Sequence, residues 1–475
     1  MSLHARPGKK KRDATAASPE HPFADQLVVV VGYGASGRAA AAALASEGAR
    51  VRITESSPAA QVDVSGLPPG VELVAGGHHA EHLDDASLVV TSPGVPPDAP
   101  ILRWARDRKV PIWSELELGA RLCTVPYLAV TGTNGKTTTV ELLAAMLSAS
   151  GLKARACGNV GHPFSLAARE PWDVLAVEAS SFQLYHVDRF HPRVSVLLNL
   201  APDHLDWHGS MDAYSATKAR IFERQRRADT HVGNAGDPVA AAVSSQARCR
   251  IRWFRNDPPR REETGVEDGL VVVRLGDGDH DEQTTFRIPV EAPGIGEDAA
   301  AAVTAALAFG VEPDAVQEGI DSFAPLGHRG EVVAETDRVR FLDDSKATNP
   351  HAALAALAGR QNVVLIAGGL AKGVDLGPLR SAAGALTAVV AIGEATEELE
   401  QVFAGATPVR RATTIEEAVA LAFVEAAGGG DVILAPACAS QDMFRDYRER
   451  GDRFAGAARA LVVALAKTDS GDADA

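Results

Sequence analysis

Short apolar runs, each closed by a glycine- or proline-bearing turn and followed by a helical stretch, recur along this chain. That rhythm constrains the fold more than any other feature. QLVVVVGYGASGRAAAAALASEGARVRITE (26–55) reads as buried strand, glycine turn, alanine-rich helix and second strand, a βαβ unit. LVVTSPGVPP, from Leu88, adds an apolar strand, and VPIWSELELGARL leads out through a helix near residue 115. The alternation restarts at Tyr127 with YLAVTG, a helix from about Lys136 to Ser150, and strands in DVLAVEAS and VSVLLNL. Strands alternating with helices imply a parallel sheet. Between about Ala247 and Val290 the charged, strand-like text predicts a small antiparallel addition, and an alanine-rich helix then runs to Phe309. A third α/β block begins near His328, with VRFLDD, NVVLIAGG, LTAVVAIG and DVILAPA as its strands.

At 475 residues the chain exceeds what one core usually serves, so several domains are expected. A hydrophobic content of 46% with 23% charged residues suits a soluble globular protein, and no apolar run approaches the ~20 residues of a membrane span. The formal charge of −15 argues against a general nucleic-acid binder. Cys123, Cys157, Cys249 and Cys438 are widely separated and form no CxxC pair, which fits neither a zinc site nor a disulfide framework. Reduced thiols and the lack of a secretory apolar segment point to the cytoplasm. The basic run KKKR in the first residues reads as part of a solvated tail, and TDSGDADA at the other end as disordered.

VTGTNGKTTTV (130–140) carries the chemistry. A glycine loop between an apolar strand and a helix can aim backbone amides at an anion, with Lys136 as counter-charge and the Thr137 hydroxyl offered to magnesium. The loop is a shortened P-loop, because Val130 stands where the strict pattern has its first glycine. A triphosphate needs lysine and metal together: like charges about 4 Å apart repel by ~4 kcal/mol at an effective dielectric near 20, whereas a helix terminus contributes only ~0.3–1 kcal/mol. Glu178, His204 and Lys218 each follow an apolar strand or sit on a helix; alone, such residues are more often structural or solvated, and only beside the phosphate loop do they read as chemistry. GYGASG (32–37), with Glu55 at the end of the next strand, suggests NAD, yet the same geometry cradles any pyrophosphate.

TGTNGKTTT resembles the ATP loop of the Mur ligase family. TSPGVP, GNVG, EASSFQL, DHLDWHGSMDAY, TKARIF, GHRGE, DDSKATNP and PACASQDMF fit the same family in chain order, over about residues 27 to 465. DSKATN and SPGVP at these places resemble the D-glutamate-adding branch. The resemblance implies an α/β protein with a Rossmann-like UDP-binding domain (23–114), a central P-loop ATPase domain with a parallel sheet (115–326) and a Rossmann-like amino-acid-binding domain (327–467). Tails at 1–22 and 468–475 are expected to be disordered.

The implied activity is ATP-dependent addition of D-glutamate to UDP-N-acetylmuramoyl-L-alanine through an acyl phosphate, in peptidoglycan precursor synthesis. Resemblance assigns Gly132, Thr133, Asn134, Gly135, Lys136, Thr137, Thr138, Thr139, Asp298, Arg329 and Asp344 to ATP. Gly34, Ser36, Gly37, Ser92, Asn159 and His204 would meet the UDP-sugar; Lys346, Thr348, Lys372, Ser440 and Tyr447 would meet D-glutamate. Two lysines suit an amino acid with two carboxylates. Thr137, Glu178, His204 and Lys218 would serve two magnesium ions, with Lys218 carbamylated by CO₂; Lys136, Glu178, His204 and Lys218 form the catalytic set. A monomer, without nucleic-acid or membrane partners, is expected, and its third domain is expected to close when ATP binds.

Two departures stand out. The family usually shows His-Asn and Asn-Ala where this chain has Gly294-Ile295 and Asp298-Ala299, which unsettles the adenine contact; Gln441 and Tyr447 replace common leucine and phenylalanine in the glutamate pocket. Three other functions fit parts of the sequence. A related amide ligase, such as the diaminopimelate/lysine-adding enzyme or folylpolyglutamate synthase, would share the ATP loop and differ at DSKATN. A NAD-dependent oxidoreductase would leave Lys136 and Thr137 without a purpose. A non-catalytic nucleotide-binding regulator is suggested only by the altered segment around Ile295.

Overall fold

The computed structural model describes residues 22–275, 282–289, 293–324 and 326–471. The expected basic tail lies outside these residues except for Pro22, as does the end of the chain from 472. The chain divides into two compact units. The first runs through Thr124 and also takes the excursions His162–Glu170 and His186–Phe190; the second holds the remainder.

In the first unit the strands are β1 (Leu27–Val31), β2 (Arg50–Glu55), β3 (Glu72–Ala75), β4 (Leu88–Thr91) and β5 (Ile112–Ser114). They form a parallel sheet in the order β3-β2-β1-β4-β5. Every residue of β1 is buried, as a central strand covered on both faces requires. The turn after β1 needs glycine: a Cβ on Gly37 would lie 2.0 Å from the carbonyl oxygen of Gly32. The helix Glu115–Leu122, capped by the Ser114 hydroxyl at the Glu117 amide, also belongs here, so this unit extends past the expected boundary at 114. Its two glutamates hold the excursions. Glu115 accepts the Ser165 amide, and Glu117 accepts the amides of Asp188, Arg189 and Phe190.

The second unit contains two sheets. Its first sheet comprises β6 (Tyr127–Thr131), β7 (Ala154–Gly158), β8 (Val174–Glu178), β9 (Val194–Leu197), β10 (Thr230–Asn234), β11 (Arg250–Phe254), β12 (Glu263–Glu267), β13 (Leu270–Leu275) and β14 (Glu282–Arg287). The order is β14-β13-β12-β11-β10-β9-β6-β8-β7. Pairing is parallel from β7 to β12 and antiparallel across β12, β13 and β14, which is the addition expected between 247 and 290. The helix Lys136–Ala149 packs on this sheet through Leu142, Leu143 and Met146, beside the alanine-rich helix Gly296–Phe309. The following helix, Pro313–Asp321, crosses the Lys136–Ala149 helix closely through a small residue: a Cβ on Gly319 would stand 2.4 Å from the Cα of Met146.

The other sheet comprises β15 (Glu331–Glu335), β16 (Val339–Asp343), β17 (Val363–Gly368), β18 (Leu386–Ile392), β19 (Val409–Arg411) and β20 (Gly430–Leu434), ordered β15-β16-β20-β17-β18-β19. Only β15 is antiparallel to its neighbour. The last helix, Tyr447–Gly471, continues past residue 467, so the first residues of the expected C-terminal tail are helical. Among the described residues no helix is long and apolar enough to cross a membrane, and the four cysteines form no disulfide.

Candidate active site

β6 delivers the chain to Gly132 and the helix Lys136–Ala149 carries it away, so the first helical turn presents backbone amides that have no partner within the helix. Gly135 adopts φ +83°, and a Cβ there would lie 2.0 Å from Asp298 Oδ1. The front of the loop is pinned by Asn199, whose Oδ1 accepts the amides of Thr133 (3.1 Å) and Asn134 (2.9 Å). The Thr133 hydroxyl lies 3.2 Å from both Ala201 O and the Tyr214 hydroxyl. Lys136 curls over its own loop, its Nζ donating to Gly132 O (3.0 Å) and Thr133 O (2.8 Å). Desolvation pushes this ammonium below its ordinary pKa, and Glu178 and Asp203 oppose the shift. Thr138 and Thr139, on the same turn, hydrogen-bond Asp298.

At the end of β8 the buried Glu178 accepts Thr137 Oγ1 at 2.8 Å on one oxygen and Asn159 Nδ2 at 2.9 Å on the other. Lys218, on the helix Met211–Ala219, is 1% exposed; its Nζ donates to Gly132 O at 2.7 Å and lies 4.7 Å from the Tyr214 ring centroid. Burial first, then Lys136, hold its pKa well below 10.5. His204 has φ +53°, and its ring meets Phe182 edge-on at 4.6 Å. Burial lowers its pKa while Asp203 raises it; the Lys372, Lys136 and Lys218 charges lower it further.

The DDSKATN loop follows β16. Asp344 has its pKa raised to about 7 by burial and by Asp343, against Arg329. Lys346 is lowered to about 8 by burial and by Lys136 and Arg329, and its ammonium stands 4.1 Å from the Tyr447 ring centroid. Thr348 donates its amide to Lys346 O. Asn349 and Asn134 exchange amide hydrogen bonds of 2.9 and 3.2 Å, so the phosphate loop and the DDSKATN loop touch directly. Asp298 is raised to about 7 by burial and Glu297, against Arg329 and the two threonine hydroxyls.

These loops enclose a cleft of ≈ 1140 Å³. Of the expected residues it brings together Thr133, Asn134, Gly135, Lys136, Thr137 and Thr138 with Asn159, Glu178, His204, Lys218, Asp298, Arg329, Asp344, Lys346 and Thr348. Gly132 and Thr139 lie just behind, bonded to Lys136 and the Gly135 carbonyl. Lys372, Ser440 and Tyr447 do not line the cleft; Tyr447 reaches it through Lys346, and Lys372, at φ +53°, through its charge on His204. Gly34, Ser36, Gly37 and Ser92 lie on the first unit. There a Cβ on Gly34 would meet nothing within 4 Å, and the Ser92 hydroxyl donates to Gly32 O. Asn199 escaped the sequence analysis although it stands in NLAPDH; only the fold puts its amide against the phosphate loop.

Comparison with known proteins matches residues 26–114 to the Mur ligase MurD-like N-terminal domain, 130–266 to the Mur ligase middle domain and 328–438 to the Mur ligase glutamate ligase domain. The UDP-N-acetylmuramoylalanine–D-glutamate ligase of Frankia casuarinae is 45% identical over 452 residues, covering 91% of this chain and 94% of that protein. That of Streptomyces avermitilis is 40% identical, with 91% and 98% covered. The chain belongs to the Mur ligase family. Among solved structures this Mur ligase is similar to the UDP-N-acetylmuramate-alanine ligase MurC of Thermotoga maritima, with TM-score 0.57, 18% identity, and 91% and 99% of the two chains covered. It is equally similar to the MurF ligase of the same organism in complex with ADP, at TM-score 0.57, 16% identity, and 92% and 96% covered. Both likenesses concern the fold. Family membership decides against a dehydrogenase, because relatives matched over 91% of the chain are ligases.

Among the described residues no cluster of three or more His, Cys, Asp or Glu side chains could hold a metal ion by itself. Thr137 and Glu178 nevertheless fit magnesium bound with a nucleotide: a hydroxyl and a carboxylate oxygen 2.8 Å apart leave most positions to water and phosphate, as this ion prefers.

Proposed function

We propose that this Mur ligase joins D-glutamate to UDP-N-acetylmuramoyl-L-alanine at the expense of ATP. The observation that carries the proposal is the direct contact of the phosphate loop with the DDSKATN loop, which places Lys136 and Lys346 on one cleft. The names of the 38–45% identical relatives supply the substrates. In a strongly acidic chain this cleft sets Lys136, Arg329, Lys346 and Arg360 beside its carboxylates, cations placed to meet a triphosphate and carboxylates at short range. The terminal carboxylate oxygen of the UDP-sugar peptide attacks the γ-phosphorus and ADP leaves. The amine of D-glutamate then attacks the acyl carbon, phosphate leaves, and the amine loses a proton. Lys136 neutralises charge and the loop amides orient the phosphates, a task of positioning and electrostatics.

Thr137 and Glu178 would hold one magnesium ion, with Asn159 orienting the carboxylate. His204 and Lys218 would serve a second. Burial favours the neutral Lys218 amine, the form that takes up CO₂; a carbamate would replace a cation with anionic oxygen ligands. When bound, the ions supply charge neutralisation at the phosphates. Gly34, Ser36, Gly37 and Ser92 on the first unit would receive the UDP group, and Thr348, Lys372, Ser440 and Tyr447 would complete the D-glutamate pocket around Lys346. The three domains, the cytoplasmic location and the monomeric state belong to the same proposal.

The test is phosphate release with ATP, UDP-N-acetylmuramoyl-L-alanine and a panel of amino acids. Release should require the nucleotide-sugar peptide and D-glutamate together, and Lys136→Ala should lower it by about a hundredfold or more. Equal release with L- and D-glutamate, or with diaminopimelate or lysine, would refute the assignment.

A further inference from the structure

Arg450 is the largest fully buried side chain among the described residues, at 0% exposure. It belongs to the first turn of the helix Tyr447–Gly471. A guanidinium out of water must find partners for a fork of five N–H groups. Here the fork spans two loops. Nε donates to Ser345 Oγ (3.0 Å), Nη2 to Ser345 O (2.8 Å) and Nη1 to Cys438 O (3.1 Å). Ser345 stands between Asp344 and Lys346, and Cys438 lies two residues before Ser440. The Ser345 hydroxyl donates in turn to Tyr447 O at 2.7 Å, closing the link on the same helix.

A neighbouring contact fixes the height of that helix. A Cβ on Gly451 would lie 2.2 Å from His328 Nδ1 and 2.6 Å from Asp343 Oδ2, a pair itself joined at 2.7 Å. The helix start therefore sits against three loops, those of Arg329, of Lys346 and Thr348, and of Ser440.

We propose that Arg450 is a positioning residue for the amino-acid substrate: its planar fork sets the spacing between the loop that carries Lys346 and Thr348 and the loop that carries Ser440. It rests on the assignment of D-glutamate to those residues. Arg450 touches no reacting atom; it holds the two ends of a pocket for a molecule with two carboxylates at the separation that molecule requires. A lysine keeps the charge and lacks the fork, so it can serve only one loop at a time. Ser345→Ala removes one arm of the same bridge.

Steady-state phosphate release by full-length Arg450→Lys and Ser345→Ala, with D-glutamate and ATP varied in turn, tests this. KM for D-glutamate should rise about tenfold in Arg450→Lys and by roughly threefold in Ser345→Ala, with KM for ATP changed less than about twofold. A merely structural role would lower kcat through loss of active protein and leave both KM values unmoved. Unchanged KM for D-glutamate in both variants, or equal rises for ATP and D-glutamate, would overturn the proposal. If Arg450→Lys does not accumulate as folded protein, Ser345→Ala decides alone on the same criterion. Wild-type protein that releases no phosphate in response to D-glutamate would refute the substrate assignment itself.

Discussion

Asp298 stands where the family usually has asparagine, and the structure gives a reason why the exchange can be tolerated. Its carboxyl lies against Gly135, receives hydrogen bonds from Thr138 and Thr139, and has its pKa raised from 3.8 to about 7 by burial and by Glu297. A protonated carboxyl has the shape of an amide. Because the folded pKa is the higher one, the stability this group contributes is complete below the unfolded value near 3.8 and is lost as pH rises through about 7. Between those values the loss approaches ~1.4 kcal/mol per pH unit, and Asp344, also raised to about 7, acts in the same direction. Asp298→Asn should therefore match the wild type in urea near pH 4 and exceed it progressively towards pH 8. Parallel stability curves across that range would show that Asp298 is ionised in the fold. Of the ten non-glycine residues with positive φ among the described residues, four, His204, His328, Lys372 and Ala437, lie on loops of the proposed site. Such strain is held by surrounding contacts and leaves no mark on the local sequence.

Elements that depend on local periodicity were legible from the residues: β1 with its glycine turn, β6 with the phosphate loop, and the helix after Lys136. Turn chemistry and apolar runs act over a few positions, which a linear reading sees. The excursions His162–Glu170 and His186–Phe190 were not, because their place is set by partners far along the chain. Glu117 illustrates the point. SELELGARL reads as an ordinary amphipathic helix, yet this carboxylate is buried and accepts the amides of Asp188, Arg189 and Phe190 together with Arg121 Nε at 2.6 Å. Replacing it by alanine strands the buried Phe190 amide, two partly buried amides and a cation. Glu117→Ala should destabilise the protein by ~3 kcal/mol or more, seen as a lowered urea midpoint. An unaltered midpoint would show that the excursions are anchored without it. Arg450 and Asn199 were missed for the same reason: an arginine in YRERGDRF and an asparagine in NLAPDH acquire roles only when distant loops arrive.

At the scale of the molecule, the sheets explain why the chemistry converges. β6, β8 and β16 each end at a loop that feeds one cleft, so Lys136, Glu178 and Lys346 meet although 210 residues separate the first from the last. Parallel strands make this possible, because within each sheet their carboxyl ends point the same way and ligands collect there. The net charge of −15 is no obstacle, since Lys136, Arg329 and Lys346 line that cleft and act on a ligand at short range, where distant surface charges are screened. The central chemical step is activation of a carboxylate by phosphorylation, and an isotope reports it directly. UDP-N-acetylmuramoyl-L-alanine labelled with oxygen-18 in its terminal carboxylate, turned over with ATP and D-glutamate, should yield inorganic phosphate carrying one labelled oxygen per amide bond formed. Amide formation with unlabelled phosphate would mean that no acyl phosphate is made and would contradict the proposed role of the phosphate loop.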